Sequence, residues 1–212
     1  MEFKETIQKY AEQPITRQAL FALLKDYKRP YDKINELVKQ QILLPVKRGI
    51  YIPGANLKMA KPEPFLLANH LLGPSYVSMD SALSYWGFIP EKVFEISSAT
   101  IKLNKIYNTP VGRFSYTSLP LPYYSFGIQK VALTKKQIVL IASPEKALCD
   151  KILTTSGILL RSSKQAMKFL TDDLRIDEQA LRKINVAEIN NWIIDAPKKE
   201  SLNILTTTLK KL

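Results

Sequence analysis

Apolar residues recur at three- and four-residue steps through Tyr31, Ile34, Leu37, Val38 and Ile42, the spacing of one stripe on a helix beginning near Pro30. Proline suits a first helical turn, where its missing N–H costs nothing. Two stretches with the same period precede it: Phe3, Ile7 and Tyr10 within residues 2–11, then Ala19, Leu20, Leu23 and Leu24, a helix predicted to be capped by Thr16. The period then shortens. Residues 42–46 and 50–52 are apolar runs rich in β-branched residues on either side of Lys47, Arg48 and Gly49, which predicts a short hairpin with a cationic tip. Three helices followed by such a hairpin, with a short polar connection at residues 26–29, is the order of parts of a winged helix-turn-helix.

Pro53 and Gly54 close the hairpin, and residues 55–64, ANLKMAKPEP, have two prolines and little periodicity, as expected of a linker of modest stiffness. Residues 1–54 and 65–212 are thus predicted to be separate domains. In the second, helices are predicted at 64–72 and 78–86, the latter capped by Ser78 with Asp80 in its first turn. Residues 93–99, 113–118, 128–133 and 137–142 alternate β-branched or aromatic residues with turn signals, which predicts a small mixed or antiparallel sheet. Ser143, Pro144 and Glu145 combine a cap, a first-turn proline and an early acid before the stripe Ala147, Leu148, Ile152 and Leu153. Further helices are expected at 163–170, 177–184, 186–194 and 202–210. The expected fold class is α+β, an N-terminal winged helix-turn-helix followed by a C-terminal α+β domain.

Charge adds a partner class to this picture. The net charge of +12 and pI near 9.6 have the sign expected of a protein that meets polyanions. Residues 1–60 hold 11 Lys plus Arg against 6 Asp plus Glu, a net of +5 that leaves +7 on residues 61–212. The second domain therefore faces nucleic acid, faces an acidic partner, or presents a solvated lysine-rich surface. No run approaches the roughly 20 apolar residues of a membrane span, and the charged MEFKETIQKY lacks a signal peptide's apolar stretch, so a cytoplasmic location is expected.

Recognition helices contact bases with their N-terminal residues, which singles out Arg29, Tyr31, Asp32, Lys33 and Asn35 as base-reading candidates. Lys28 and Lys39 flank them, Thr16 and Arg17 open the preceding helix, and Lys47, Arg48 and Tyr51 belong to the hairpin, whose tip is placed to touch phosphates. Catalysis finds less support. Glu145 and Asp150 are five apart and share a helix face poorly, so capping suits the first and solvent exposure or a lysine pair the second. His70 and Cys149 lie in apolar helical patterns, and seven glycines form no phosphate-cradling loop. With one histidine and one cysteine, neither a metal nor a cofactor is expected. The loop LPLPYYSFG, residues 119–127, reads as core or edge packing by Tyr123, Tyr124 and Phe126, although exposed aromatics also stack bases or anchor partners.

The helices ahead of VKRGIYIP, then YVSMDSALSYWGFIP at 76–90 and IASPEKALCDKI at 141–152, together resemble the AbiEi family of antitoxins over nearly the whole chain. By position, Arg48, Gly49 and Tyr51 match a wing motif, Ser81, Ala82, Leu83 and Gly87 a second, and Ser143, Pro144, Glu145, Leu148 and Asp150 a third. Gln41 stands where glycine is expected before the wing's first strand. The resemblance implies a type IV toxin–antitoxin module in abortive infection, with a nucleotidyltransferase-like AbiEii toxin as partner. It also implies a winged helix repressing its own operon at inverted repeats, and a C-terminal domain required for antitoxicity. The alternatives are a protein-interaction module in which DNA affinity is polyelectrolyte background, or a stand-alone winged-helix regulator.

Overall fold

The structure, a computed structural model, describes residues 7–91 and 94–212. Of the helix expected at residues 2–11, residues 2–6 lie outside the described residues; Ile7 and Gln8 are helical, residues 9–11 form turns instead, and Ile7 is fully buried. The chain then forms β1 (Ile15–Thr16), α1 (Arg17–Leu23), α2 (Pro30–Lys39), β2 (Leu43–Lys47) and β3 (Ile50–Pro53). Thr16 Oγ1 accepts from the Ala19 N–H at 3.2 Å, the expected cap. The strands are antiparallel in the order β1-β3-β2, with Thr16 opposite Ile50 and Lys47 also paired to Ile50 across a bulge at Val46. Ile15, Leu20, Leu24, Ile34, Leu37, Ile42 and Leu43 fill a small core around Ile7. Tyr31 departs from the expected stripe: it is 58% exposed, its ring edge-on to Phe21 at 4.8 Å.

The end of α2 explains why glycine was expected at position 41. Gln41 has φ +54°, its N–H donates to Val38 O at 2.9 Å, and the Ile42 N–H reaches Leu37 O at 2.9 Å. That double bond is the Schellman closure, whose left-handed residue is usually glycine. Leu37 and Ile42 supply its apolar contact. The segment beyond β3 folds back on this turn: the Gly54 N–H donates to Ile42 O, and the Asn56 N–H and Nδ2 donate to Gln41 O and Gln40 O. Leu57 and Met59 then pack on the small core, so the first part of the expected linker belongs to the hairpin's surroundings.

The remainder comprises α3 (Pro64–Leu71), β4 (Ser75–Val77), α4 (Met79–Tyr85), β5 (Glu95–Thr100), β6 (Lys105–Thr109), β7 (Gly112–Ser118), β8 (Ile128–Ala132) and β9 (Ile138–Ala142). After these come α5 (Pro144–Thr154), α6 (Ser163–Lys168), α7 (Glu178–Leu181), α8 (Val186–Trp192) and α9 (Lys199–Leu209). A π-helical turn, Phe169–Asp173, extends α6. The class is α+β, as expected. Six strands rather than four form the large sheet, in the mixed order β6-β7-β5-β4-β9-β8, with β5–β7 and β4–β9 parallel and the other pairs antiparallel.

Ser143 Oγ accepts from the Lys146 N–H at 3.2 Å, so α5 starts as its sequence predicts. Ser78 precedes α4 but its side chain does not cap the helix; the hydroxyl donates instead to Asp150 Oδ2 at 2.7 Å. The two parts of the chain meet through side chains of the hairpin. Val46 and Ile52 are buried in the larger core, not the smaller one. Glu12 Oε2 accepts from Thr134 Oγ1 at 3.0 Å, and Gln13 Nε2 donates to Lys136 O at 2.8 Å, which fixes a second line of contact at the β8–β9 turn. No described helix is long and apolar enough to cross a membrane.

Candidate nucleic-acid interface

Ile34 and Leu37 anchor α2 on the small core, and the opposite face is left to solvent. Tyr31, Asp32, Asn35 and Lys39 are exposed there, with Lys28 and Arg29 exposed just ahead of the helix. Arg29 Nη1 lies 3.8 Å from Asp32 Oδ2 with side-chain exposures of 83% and 69%. A pair so open to water contributes little to stability and leaves both groups free to exchange partners. Lys33 is more constrained: its Nζ binds Glu36 Oε1 at 2.8 Å and lies 5.5 Å from the Tyr27 ring centroid. The Glu36 hydrogen bond holds Lys33 above the ordinary lysine value, while the same bond holds Glu36 below the ordinary carboxylate value.

The hairpin turn lies against the start of α1. The Arg17 N–H donates to Gly49 O at 2.9 Å, Gly49 adopts φ +84°, and a Cβ at Gly49 would stand 3.9 Å from Arg17 Cβ. Arg17 and Arg48, both exposed, thus belong to one basic corner, with the exposed Thr16 beside it. Tyr51 is half-buried against the small core.

Lys47 departs from the arrangement expected of a phosphate-holding tip. Its Nζ donates to Leu71 O at 2.6 Å, at the end of α3, and sits 4.7 Å from the Tyr107 ring centroid in β6. A carbonyl left bare by the helix end and an aromatic face together give the ammonium two partners away from the tip. Sequence patterning could not bring Leu71 or Tyr107 to Lys47, since β6 (KIYNT) has too little apolar alternation to be recognised as a strand.

The acidic residues considered for catalysis, Asp150 and Glu145, make contacts between elements of the fold. Asp150 is fully buried, not solvent-exposed; its Oδ1 lies 3.1 Å from Lys146 Nζ and accepts from Tyr123 Oη at 2.9 Å. Its Oδ2 accepts from Tyr76 Oη at 2.9 Å and Ser78 Oγ at 2.7 Å. Lys146 Nζ also donates to Tyr123 O at 2.9 Å and lies 3.2 Å from that ring's centroid. Gly127 permits this approach, because a Cβ there would fall 2.7 Å from Lys146 Cβ. Burial lowers Lys146 from its ordinary value and raises Tyr76 and Tyr123 well above theirs. Every charge and hydroxyl here is partnered within the protein, and the group welds β4, the turn at Tyr123 and α5 together.

Glu145 accepts from the Asn185 N–H at 3.0 Å, so it supports the start of α8. His70 is exposed, with Nδ1 2.9 Å from Leu66 O. Cys149 is fully buried, and burial pushes its thiol up to about 12. Ser81, Ala82 and Leu83 are buried packing residues, and Gly87, at φ +73°, closes α4. In the aromatic loop, Tyr123 and Tyr124 are buried and Phe126 stacks on Trp192 at 6.3 Å, which is core packing. Among the described residues no group of three His, Cys, Asp or Glu is placed to hold a metal ion. No protein-family model matches the chain, and no curated protein matches it in sequence.

Proposed function

We propose that the chain is a sequence-reading DNA-binding regulator whose first part is a winged helix-turn-helix. The observation that carries this reading is the outer face of α2, where Tyr31, Asp32, Asn35 and Lys39 stand exposed on a helix held from behind by Ile34 and Leu37. Two further features support it. Helices followed by an antiparallel hairpin that also pairs with β1 are one, and the hairpin turn lying beside Arg17 at the start of α1 is the other. In this reading α2 enters the major groove, Arg29 and Asn35 read base edges, and Arg17, Lys28, Lys39 and Arg48 hold phosphates.

The resemblance to AbiEi antitoxins supports a narrower role: repression of the chain's own operon at inverted repeats, with residues 65–212 counteracting an AbiEii-like nucleotidyltransferase toxin. Titration of the full chain against DNA upstream of its own reading frame, and against a scrambled duplex, at two salt concentrations tests the DNA reading. Tighter binding to the upstream duplex that weakens steeply with salt is the expected result, and equal affinity for both duplexes overturns it. Growth of cells carrying the neighbouring toxin gene, with and without this chain, tests the antitoxin role.

A further inference from the structure

The loop between β5 and β6 combines features that protein surfaces usually keep apart. Leu103 is 88% exposed and Ile106 50%, yet they alternate with the exposed Lys102 and Lys105 on the outermost strand of the large sheet and the loop leading into it. Lysine on an edge strand discourages pairing with a second copy, because like charges would then face one another. The loop is also fixed in place relative to the hairpin. Tyr107 has Lys47 Nζ 4.7 Å and Lys105 Nζ 6.0 Å from its ring centroid, so the hairpin strand and the sheet edge meet at one aromatic ring. Lys102, Leu103, Asn104, Lys105, Tyr107 and Ser118 help to line an open hollow of about 630 Å³ beside it.

We propose that this loop is a second DNA contact, continuous with the wing, in which Lys102 and Lys105 hold phosphates flanking the α2 site and Leu103 lies as an apolar wedge in the adjoining minor groove. The inference rests on the DNA-binding reading of the first part. Charge selects the occupant: two lysines around an apolar tip suit a polyanion with a base stack to enter, and an apolar protein partner would have to strip both ammonium groups of water. The basic charge of residues 61–212 thereby gains a function that the wing alone does not give it.

The test uses the full chain with two upstream duplexes, one covering only the α2 and wing site and one extended by about a helical turn on the wing side. Lys102→Ala with Lys105→Ala is expected to weaken binding to the extended duplex at least tenfold and lower the log–log salt slope by nearly 2, with little change on the short duplex. Leu103→Ser is expected to weaken the extended complex and leave the slope unchanged. All three positions are exposed, and unchanged thermal melting confirms intact folding. If Arg48→Ala weakens binding but the lysine pair does not, the loop is not a DNA contact and the inference falls while the first reading stands. If no variant alters binding and scrambled DNA competes equally, both fall. Normal DNA affinity, with loss of an acidic protein partner from the lysine variant, also overturns it.

Discussion

Lys146 and Asp150 stand one helical turn apart in α5 with Nζ 3.1 Å from Oδ1, and neither side chain reaches solvent. Removing one member leaves a bare charge in the core. Asp150→Ala is therefore expected to cost about 3–5 kcal/mol in chemical denaturation. Lys146→Met combined with Asp150→Asn should recover part of that loss, since both charges are gone, the amide oxygen still accepts from Tyr76 and Ser78, and the amide NH2 meets Tyr123 Oη, which can turn to accept. A cost below about 1 kcal/mol for Asp150→Ala would show that Asp150 does not hold β4 to α5.

Stability should decline at high pH. Burial raises Tyr76, Tyr123 and Tyr116, and raises Tyr124 to about 12, so these phenols stay protonated in the folded chain when the unfolded chain loses their protons. The folded state then binds more protons, and each such tyrosine removes about 1.4 kcal/mol per pH unit above about pH 10. Lys146 works in the opposite direction, because burial lowers its folded value and its contribution improves as pH rises toward the ordinary lysine value. Lys198, also lowered by burial, acts with it, while Cys149, raised to about 12, acts with the tyrosines, so the groups that lose stability outnumber those that gain it. Urea unfolding at about pH 9 and about pH 11 should show a clear fall, and equal midpoints would contradict it.

Gln41→Gly should stabilise the protein by up to about 1 kcal/mol, because it removes a side chain from a left-handed position at the Schellman closure of α2. Gly54→Ala should do the reverse, since its Cβ would lie 2.1 Å from Gln41 O, a backbone atom with nowhere to go. Thermal melting of the two variants provides the check; a destabilised Gln41→Gly would mean that the glutamine side chain has a role of its own.

The two basic residues of the hairpin should separate in their effects. Lys47→Ala is expected to lower stability by about 1–2 kcal/mol through the lost bond to Leu71 O and contact with Tyr107. Arg48→Ala should leave stability alone and reduce the salt slope of DNA binding by about 1. On α2, Asn35→Ala or Arg29→Ala should shift base preference by about 1–3 kcal/mol at one position. Selection from a randomised duplex pool reads this last effect, and unchanged preferences would remove α2 as the reader.

Cys149 should be inert to thiol reagents in the folded protein, being wholly buried with its thiol raised to about 12. Its labelling rate should rise with urea in step with global unfolding. Fast labelling in buffer would reveal local opening of α5.

Signals carried by neighbouring residues were legible along the chain: the Thr16 and Ser143 caps, Pro30 at the start of α2 and the turn at Gly49 all depend on residues within a few positions. Features that depend on distant partners were not. β4, only SYV and buried throughout, is too short to show a period and is defined by pairing with β5 and β9. Of the two readings of Asp150, a solvent-exposed acid or one paired to a lysine, the pair is found with Lys146 four residues before it, but its burial depends on Tyr76, Ser78 and Tyr123 from 74, 72 and 27 positions away. The candidate interface divides the same way. The exposed face of α2 follows from helical period, while the diversion of Lys47 to Leu71 and Tyr107 does not.

With Val46 and Ile52 embedded in the larger core, residues 1–54 are not an interchangeable cassette. Severing the chain in the proline-rich stretch after the hairpin would bare two apolar side chains on one piece and leave unfilled space in the other. A graft of this part onto a foreign scaffold would inherit the same flaw. The outward side chains of α2 can be exchanged without disturbing that seam.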